Sequence, residues 1–260
     1  MQITGKNVVI TGAGSGIGAA LARRFAAEGV ATLCLSDLDV DAVERVAAGL
    51  DCRTVAIRTD VGDEKQVRSM IERAGESGPI DLVCSNAGIG TGAGLDATPE
   101  QWAAAWAVNV QAHVYAAWAA LPGMLERGEG YFLNTCSAAG LLTQPGDAPY
   151  AVTKHAAVAF AEWLALTYGD QGIKVSALCP QGVRTPLLTE ALEGVAGQVV
   201  AAAGRVLEPD DVAEAVVSGL AAEAFLILPH PEVAEFERRK AADRDRWLAG
   251  LRRMVASLRN

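Results

Sequence analysis

A tyrosine and a lysine lie four residues apart, at Tyr150 and Lys154. On a helix this spacing places both side chains on one face, about one turn apart. A phenol has an ordinary pKa of about 10 and is a poor base at neutral pH, but a neighbouring ammonium group stabilises the phenolate and lowers that pKa. The pair can therefore exchange a proton with an alcohol or ketone oxygen. Alone, the YxxxK pattern also fits an unrelated surface tyrosine and lysine.

A serine adds context to this pair. Ser137 lies thirteen residues before Tyr150, in a Ser-Ala-Ala-Gly loop that follows the apolar run 131–134. Its hydroxyl group can hydrogen-bond to the same substrate oxygen. The three side chains together favour proton transfer at a carbonyl or carbinol oxygen.

A glycine-rich loop follows the first apolar run and opens an alanine-rich helical segment. Glycines let the backbone turn tightly and approach a pyrophosphate, which sits at the positive end of the helix dipole. The pattern is TGxxxGxG and not the GxGxxG fingerprint. A tight strand-to-helix turn without a ligand is the alternative. The candidate nucleotide contacts are Gly12, Ser15, Gly16, Ile17 and Gly18.

Asp37 lies two residues after the second apolar run, residues 32–35. An acidic side chain there can accept hydrogen bonds from both hydroxyls of an adenosine ribose, and it repels a 2′-phosphate. Ser15 and Leu38 are candidate cofactor contacts beside Asp37. Neither supplies a cation for such a phosphate, so NAD is favoured over NADP. After the third run, Asp60 can accept from the adenine amino group and Val61 can contact the ring; an ordinary helix-capping aspartate is the alternative.

Seven short apolar runs alternate with segments of helical period. The runs are residues 7–10, 32–35, 54–57, 82–84, 131–134, 175–178 and 225–228, and the helical segments are 16–28, 40–49, 64–74, 99–125, 150–171 and 210–222. This alternation indicates a parallel sheet with crossover helices. We predict a single-domain α/β Rossmann fold: a doubly wound, seven-stranded parallel sheet with helices on both faces. The expected domain is residues 1–231, with a helical tail at 232–260.

Composition bounds the class of protein. The 260 residues are 51% hydrophobic with a net charge of -9, which supports a full core and argues against nucleic acid or an anionic membrane as the main partner. The five cysteines are odd in number and form no CxxC pair, which indicates buried, reduced thiols. We expect no metal site.

Two stretches bear on location. Residues 1–10 lack the pattern of a signal peptide. The uncharged stretch 101–125 approaches membrane-spanning length, but it contains Asn109, His113 and Pro122 and is rich in alanine, so a buried helix is the better interpretation. We therefore expect a cytoplasmic protein without a membrane span.

The motifs, and their order along the chain, resemble those of the short-chain dehydrogenase/reductase family over residues 5–230. The matching features are TGxxxGxG, the segment Ser85-Asn86-Ala87-Gly88, Asn109, Ser137, Tyr150 and Lys154. The resemblance implies that Tyr150 is the general acid/base and that Ser137 polarises the substrate oxygen. It implies that Lys154 lowers the tyrosine pKa and binds the nicotinamide ribose.

The same resemblance assigns further residues. Asn109 matches the member of the catalytic set that kinks its helix so that a water relays protons between the lysine and solvent; a buried polar residue bonded to backbone is the alternative. Residues matching the turn beside the adenosine ribose are Asn86, Ala87 and Gly88. Residues matching the contacts to the nicotinamide carboxamide are Val183 and Thr185.

Two segments depart from the family pattern. Its Asn-Asn-Ala-Gly begins here with Ser85, a mild change. Its Asn-Pro-Gly is replaced by Cys179-Pro180-Gln181, with the glycine displaced to Gly182. The second change alters the backbone beside the nicotinamide.

Three segments should wall the substrate site, at 89–98, 138–147 and the substrate loop 186–205, because ligands bind beyond the carboxyl ends of parallel strands. Their bulky residues are apolar: Leu141, Leu142, Leu187, Leu188, Leu192, Val195 and Val199. They favour a small to medium, apolar ketone or secondary alcohol as the small-molecule substrate. Arg184 and Arg205 leave an acidic substrate as the alternative.

The tail 232–260 holds eight basic and five acidic residues. It fits a solvated helix, or a segment that docks on another subunit or over the substrate pocket. The residues that would dock are Phe236, Trp247, Leu248, Leu251 and Met254.

Tryptophans at 102, 106, 118 and 163 suit subunit contacts or an intramolecular core. The resemblance implies that the helices bearing Asn109 and Tyr150 pair across subunits, so we expect a homotetramer or a homodimer.

The leading hypothesis is an NAD-dependent oxidoreductase that interconverts a secondary alcohol and a ketone. A nucleotide-sugar epimerase can use the same tyrosine and lysine, but it needs a larger substrate domain than the short tail provides. A non-catalytic NAD-binding sensor or scaffold is the third hypothesis. Four catalytic-type residues argue against it.

Overall fold

A computed structural model describes residues 1–191, 194–202 and 204–258 of the chain. Within these residues seven strands form one sheet in the order β3-β2-β1-β4-β5-β6-β7, with each neighbouring pair parallel. The strands are β1 (Asn7–Thr11), β2 (Thr32–Asp37), β3 (Arg53–Arg58), β4 (Leu82–Ser85), β5 (Gly130–Thr135), β6 (Ile173–Leu178) and β7 (Leu226–Ile227). The predicted doubly wound Rossmann sheet is confirmed.

Helices connect and extend the strands. They are α1 (Gly16–Ala27), α2 (Val40–Ala47), α3 (Glu64–Gly75), α4 (Pro99–Trp106), α5 (Ala112–Arg127), α6 (Ala139–Leu142), α7 (Ala148–Tyr168), α8 (Pro186–Ala191), α9 (Val195–Ala202), α10 (Pro209–Ala221), α11 (Glu232–Ala242) and α12 (Arg244–Leu258). A single turn of π-helix (Ala107–Gln111), the π-turn, joins α4 to α5. Several helices begin at a side chain that accepts a hydrogen bond from the first turn, such as Asp39, Asp63 and Asp147.

The central strands β1, β2, β4, β5 and β6 are buried on both faces, as their apolar runs require, whereas the edge strand β3 is half-buried. Ile10 and Leu133 face one layer with α1 and α10, whereas Val9 and Phe132 face the other with α3, α5 and α7. Because helices cover both faces, a site must lie at an edge of the sheet, and open α/β sheets bind ligands at the carboxyl ends of their strands.

The uncharged stretch 101–125 is buried on one face only. It runs through α4, the π-turn and α5, with Ala116 and Ala120 packed inside and Trp118 60% exposed. The stretch is therefore a half-buried helix, with Trp106 and Trp118 on its exposed side. Among the described helices none is long and apolar enough to cross a membrane.

The described part of the tail, residues 232–258, forms α11 and α12, and residues 259–260 lie outside the described ranges. The helices break at Asp243, whose carboxylate accepts a hydrogen bond from the backbone N–H of Arg246 at 2.9 Å. Phe236 and Trp247 pack together, 6.0 Å between ring centroids, against the α6 region. The buried Lys240 donates to the carbonyl of Leu141. These contacts hold the tail against the segment that follows Ser137.

All five cysteines are free, four of them buried. Within the ranges that the structure describes, no cluster of three or more His, Cys, Asp or Glu side chains is arranged to hold a metal ion.

Candidate active site

The predicted site residues gather at the carboxyl ends of β1, β4, β5 and β6. The strand order reverses between β1 and β4, and a crevice at such a reversal is where open α/β sheets bind ligands. The glycine-rich loop leaves β1 at this point, and Ser137 follows β5.

The glycine-rich loop can take a pyrophosphate. Ser15 is the N-cap of α1, makes no side-chain capping bond, and the first turn holds no acidic residue. The positive end of the helix is thus left for an anion. Gly12 has φ +66°, and a Cβ there would lie 2.9 Å from the Ala87 Cα, while a Cβ on Gly18 would lie 2.1 Å from the Gly12 carbonyl oxygen. Only glycines fit these two positions.

The aspartates after β2 and β3, Asp37 and Asp60, accept hydrogen bonds from different parts of the backbone. Asp37 accepts hydrogen bonds from the backbone N–H of Gly14 at 3.0 Å and of Asp39 at 3.3 Å, which orients its carboxylate beside the glycine loop. Asp60 accepts from the N–H of Gly62 at 2.9 Å, so one of its oxygens stabilises the turn before α3. Val61 is buried in the core.

Asn86 ties three strand ends together. Its amide donates to the Thr11 carbonyl at 3.1 Å, and its carbonyl accepts from the Thr135 hydroxyl at 3.1 Å. The Thr11 hydroxyl in turn accepts from the N–H groups of Asn86 and Ala87 at 3.0 and 3.1 Å. Sequence reasoning included Thr11 only as the first residue of TGxxxGxG and missed Thr135, because a threonine at a strand end carries no distinctive pattern by itself.

Tyr150, Lys154 and Ser137 lie together. The Lys154 Nζ is 5.6 Å from the centroid of the Tyr150 ring and donates to the Thr135 carbonyl at 2.9 Å, two residues before Ser137. Ser137 has φ 91°, a strained value for a residue with a side chain. Its hydroxyl accepts from the N–H of Ala139 at 3.1 Å.

Burial dominates the electrostatics of this cluster. It raises the pKa of Tyr150 to about 12, with the Ser137 hydroxyl acting in the opposite direction. It also lowers the pKa of Lys154. The expected fall in the phenol pKa from the neighbouring lysine is therefore absent in the protein by itself, because desolvation disfavours both charged forms.

Asn109 lies in the π-turn, four residues before His113. Its Oδ1 accepts from the N–H of Ile89 at 2.9 Å, and its Nδ2 donates to the Ile89 carbonyl at 2.9 Å and the Thr153 hydroxyl at 3.0 Å. A Cβ on Gly88 would lie 3.2 Å from the Lys154 Nζ and 3.3 Å from the Asn109 Oδ1. Both polar atoms of the Asn109 side chain are thus engaged within the protein.

The segment after β6 reaches the glycine loop. Val183 is buried and pairs with Leu207, and a Cβ on Gly16 would lie 2.9 Å from the Thr185 Cγ2. This places Thr185 over the start of α1, on the side where a nucleotide would lie.

His230 connects Gln181, which precedes the substrate loop, to Arg205, the last residue of that loop, and sequence reasoning overlooked it. Its Nδ1 lies 3.1 Å from the backbone N of Gln181, and its Nε2 lies 3.0 Å from the Arg205 carbonyl oxygen. The N–H of Gln181 can only donate, so Nδ1 accepts and Nε2 carries the proton.

Asp147 was also missed. This buried carboxylate accepts from the N–H of Thr91 at 2.7 Å, of Gly92 at 2.8 Å and of Tyr150 at 3.0 Å, and from the Thr91 hydroxyl at 2.8 Å. It caps α7 and ties the wall 89–98 to the turn that carries Tyr150. The signal available in the sequence was an aspartate three residues before Tyr150, the spacing of a helix N-cap.

A cavity of about 700 Å³ opens beside the residues that follow Ser137. Its walls come from residues 138–145, from α9 and from both tail helices. The expected wall residues Leu142 and Val199 line it, whereas Leu192 lies outside the described residues. Arg184 and Arg205 do not line it; they pair instead with Glu208 at 2.7 Å and Asp211 at 3.6 Å.

Comparison with known proteins gives consistent matches. The family model described as "short chain dehydrogenase" matches residues 6–196. Meso-2,3-butanediol dehydrogenase of Serratia marcescens is 36% identical over 228 residues, which cover 86% of this chain and 90% of that protein.

Solved structures match over nearly the whole chain. A short chain dehydrogenase/reductase from Burkholderia phymatum in complex with NAD has a TM-score of 0.84 and 33% identity, covering 94% of this chain and 96% of that one. A short-chain dehydrogenase from Sphingobium yanoikuyae in complex with NADPH has a TM-score of 0.79 and 28% identity, covering 97% and 95%.

Proposed function

Because this chain belongs to the short-chain dehydrogenase/reductase family, we propose that it is an NAD-dependent oxidoreductase that interconverts a secondary alcohol and a ketone. The observation that carries the proposal is the cluster of Tyr150, Ser137 and Lys154 at the same sheet edge as a glycine loop open to a pyrophosphate. When bound, the nicotinamide donates or accepts the hydride at the substrate carbon.

The chain's own residues handle the substrate oxygen. Tyr150 gives its phenolic proton to the ketone oxygen in reduction and takes it from the alcohol in oxidation. Ser137 donates a hydrogen bond to the same oxygen. A phenol is protonated at neutral pH, so Tyr150 can donate its proton in reduction. Burial raises its pKa, which opposes the loss of that proton. Lys154 restores the proton and contacts the nicotinamide ribose.

We assign Asn109 to the proton relay behind Lys154 through its main chain. Its side chain is committed to Ile89 and Thr153, and a π-turn displaces a backbone carbonyl from the regular helical pattern. A water held there would connect Lys154 to solvent.

Cofactor choice follows from the residues around Asp37. Its carboxylate is oriented by Gly14, and neither Ser15 nor the exposed Leu38 is cationic. A ribose 2′-hydroxyl is accepted there and a 2′-phosphate is repelled. The remaining nucleotide contacts we propose are Gly12, Gly16, Ile17, Gly18, Asp60, Val61, Asn86, Ala87, Gly88, Val183 and Thr185.

The cofactor proposal predicts opposite effects of Asp37→Ala on the two dinucleotides. The affinity for NADH should fall about a hundredfold, because two hydrogen bonds to a charged group of about 1.5 kcal/mol each are lost, and the affinity for NADPH should rise. Fluorescence titration measures both. Asp39→Ala, an exposed cap two residues away, is the matched control and should change neither. A wild-type protein that binds NADPH more tightly contradicts the assignment.

The reaction itself is tested by label transfer. The protein is incubated with NADH deuterated at the transferred position and a panel of aliphatic and aromatic ketones. We expect NADH oxidation and deuterium at the carbinol carbon of the product. An epimerase returns its hydride to the sugar with no net oxidation of NADH, and a sensor transfers none. Absence of label from every product overturns the proposal.

For assembly we propose a homotetramer. Two tryptophans on helices next to the site have exposed side chains: Trp118 on α5 is 60% exposed and Trp163 on α7, the helix of Tyr150, is 52% exposed. Unshielded tryptophans of this size are typical of protein interfaces. Light scattering on the purified protein tests it, and Trp163→Glu should lower the measured mass. Free buried cysteines support a cytoplasmic location.

A further inference from the structure

The cavity beneath the tail has a chemical character of its own. We propose that it binds a carboxylate at the far end of the substrate, so that the substrate is an elongated keto acid or hydroxy acid with an apolar middle. This inference rests on the proposed function and names its substrate class.

Cations line the tail side of the cavity. Arg239, Arg246 and Arg253 follow one another at seven-residue spacing, which keeps Arg246 and Arg253 on one face of α12. Arg239 is paired with Glu235 at 2.7 Å. Arg246 and Arg253 form no ion pair within the described ranges. The single acidic residue among the lining residues is Asp243, and its carboxylate already caps α12.

Two lining residues also carry buried polar atoms without a partner among the described residues. The Trp247 indole N–H lacks an acceptor and the Gln181 side-chain carbonyl lacks a donor. A buried polar group left unpaired costs free energy, so each such group in a folded protein calls for a partner from solvent or ligand. A carboxylate accepts from the indole, and a hydroxyl group donates to the amide.

The rest of the cavity fits an apolar chain. Its apolar lining residues include Leu142, Val199, Phe236, Leu251 and Met254. Its volume of about 700 Å³ lies within the range of small-molecule sites. Ala138 and Ala139, which follow Ser137 directly in the chain, also line it. The cavity therefore lies beside the position where Ser137 would hold a ketone, and the chain of such a ketone would enter it.

The test uses paired probes that differ only in charge. Calorimetry measures the binding of octanoate and of octanamide to the protein with NADH present. We expect octanoate to bind more tightly, and the Arg246→Gln/Arg253→Gln double variant to lose about fivefold in octanoate affinity, a size suited to exposed cations, with octanamide unchanged. Arg252→Gln is the matched control, because Arg252 lies beside Arg253 but does not line this cavity.

Kinetics supply the second readout. Methyl ketones with a terminal carboxylate, from levulinate upward in chain length, are compared with their methyl esters. The double variant should raise KM about fivefold for the long acids and leave kcat and the ester KM unchanged. Equal binding of octanoate and octanamide to the wild type overturns the inference even if ketones are reduced. No turnover of any ketone, with octanoate bound selectively, overturns the proposed function alone.

Discussion

Replacing Asp147 with alanine tests whether one buried carboxylate positions Tyr150. The carboxylate accepts four hydrogen bonds, from the backbone of Thr91, Gly92 and Tyr150 and from the Thr91 hydroxyl, at 2.7 to 3.0 Å. The lost helix cap costs about 1 kcal/mol, and the two loop N–H groups left unpaired cost about 1 kcal/mol each. We therefore expect Asp147→Ala to lower the free energy of unfolding by about 3 kcal/mol.

The assay is urea denaturation at fixed protein concentration, together with kcat/KM for ketone reduction. Asp39→Ala is the matched control, because Asp39 caps α2 through one exposed bond, from Ala42 at 3.0 Å, and should cost about 1 kcal/mol. Asp147→Asn keeps one acceptor and should recover part of both stability and kcat/KM. A loss for Asp147→Ala no larger than that for Asp39→Ala, with unchanged kcat/KM, refutes the positioning role.

Two further predictions concern histidines. Burial lowers the pKa of His113 to about 3, against 6.5 for an unfolded histidine. Below pH 6.5 the unfolded chain binds a proton that the native state does not, so the free energy of unfolding should fall by about 2 kcal/mol from pH 7 to pH 5. His113→Gln should remove this part of the decline in urea denaturation, and an identical decline in the variant contradicts it. His230→Leu removes the hydrogen bonds to Gln181 and Arg205 and should raise the ketone KM about threefold with little change in kcat, because the substrate loop loses its anchor. His155→Leu is the control, because the His155 imidazole bonds to a carbonyl of its own helix. A loss confined to kcat in His230→Leu argues against the anchor.

The sheet was predictable because its information is local. Apolar runs of strand length alternate with helical periods, and a buried parallel sheet requires that pattern. The glycine loop was predictable for a related reason: a Cβ on Gly18 would meet the Gly12 carbonyl, so the backbone itself demands glycine.

Interactions between distant segments were not predictable. Asp147 meets Thr91 across 56 residues, and His230 meets Gln181 across 49. No periodicity connects such partners, since they meet only after the chain has folded. The predicted direction of the Tyr150 pKa shift was wrong for the same reason. The YxxxK spacing indicates the neighbouring lysine but not that both side chains are buried.

The most direct test of the account is Tyr150→Phe, which removes the proton donor and keeps the ring beside Lys154. NADH affinity should stay within about twofold of wild type, while ketone reduction, followed by the absorbance of NADH, should fall at least a hundredfold, the lower end of what general acid catalysis contributes. Wild-type reduction rates in Tyr150→Phe would contradict the central claim.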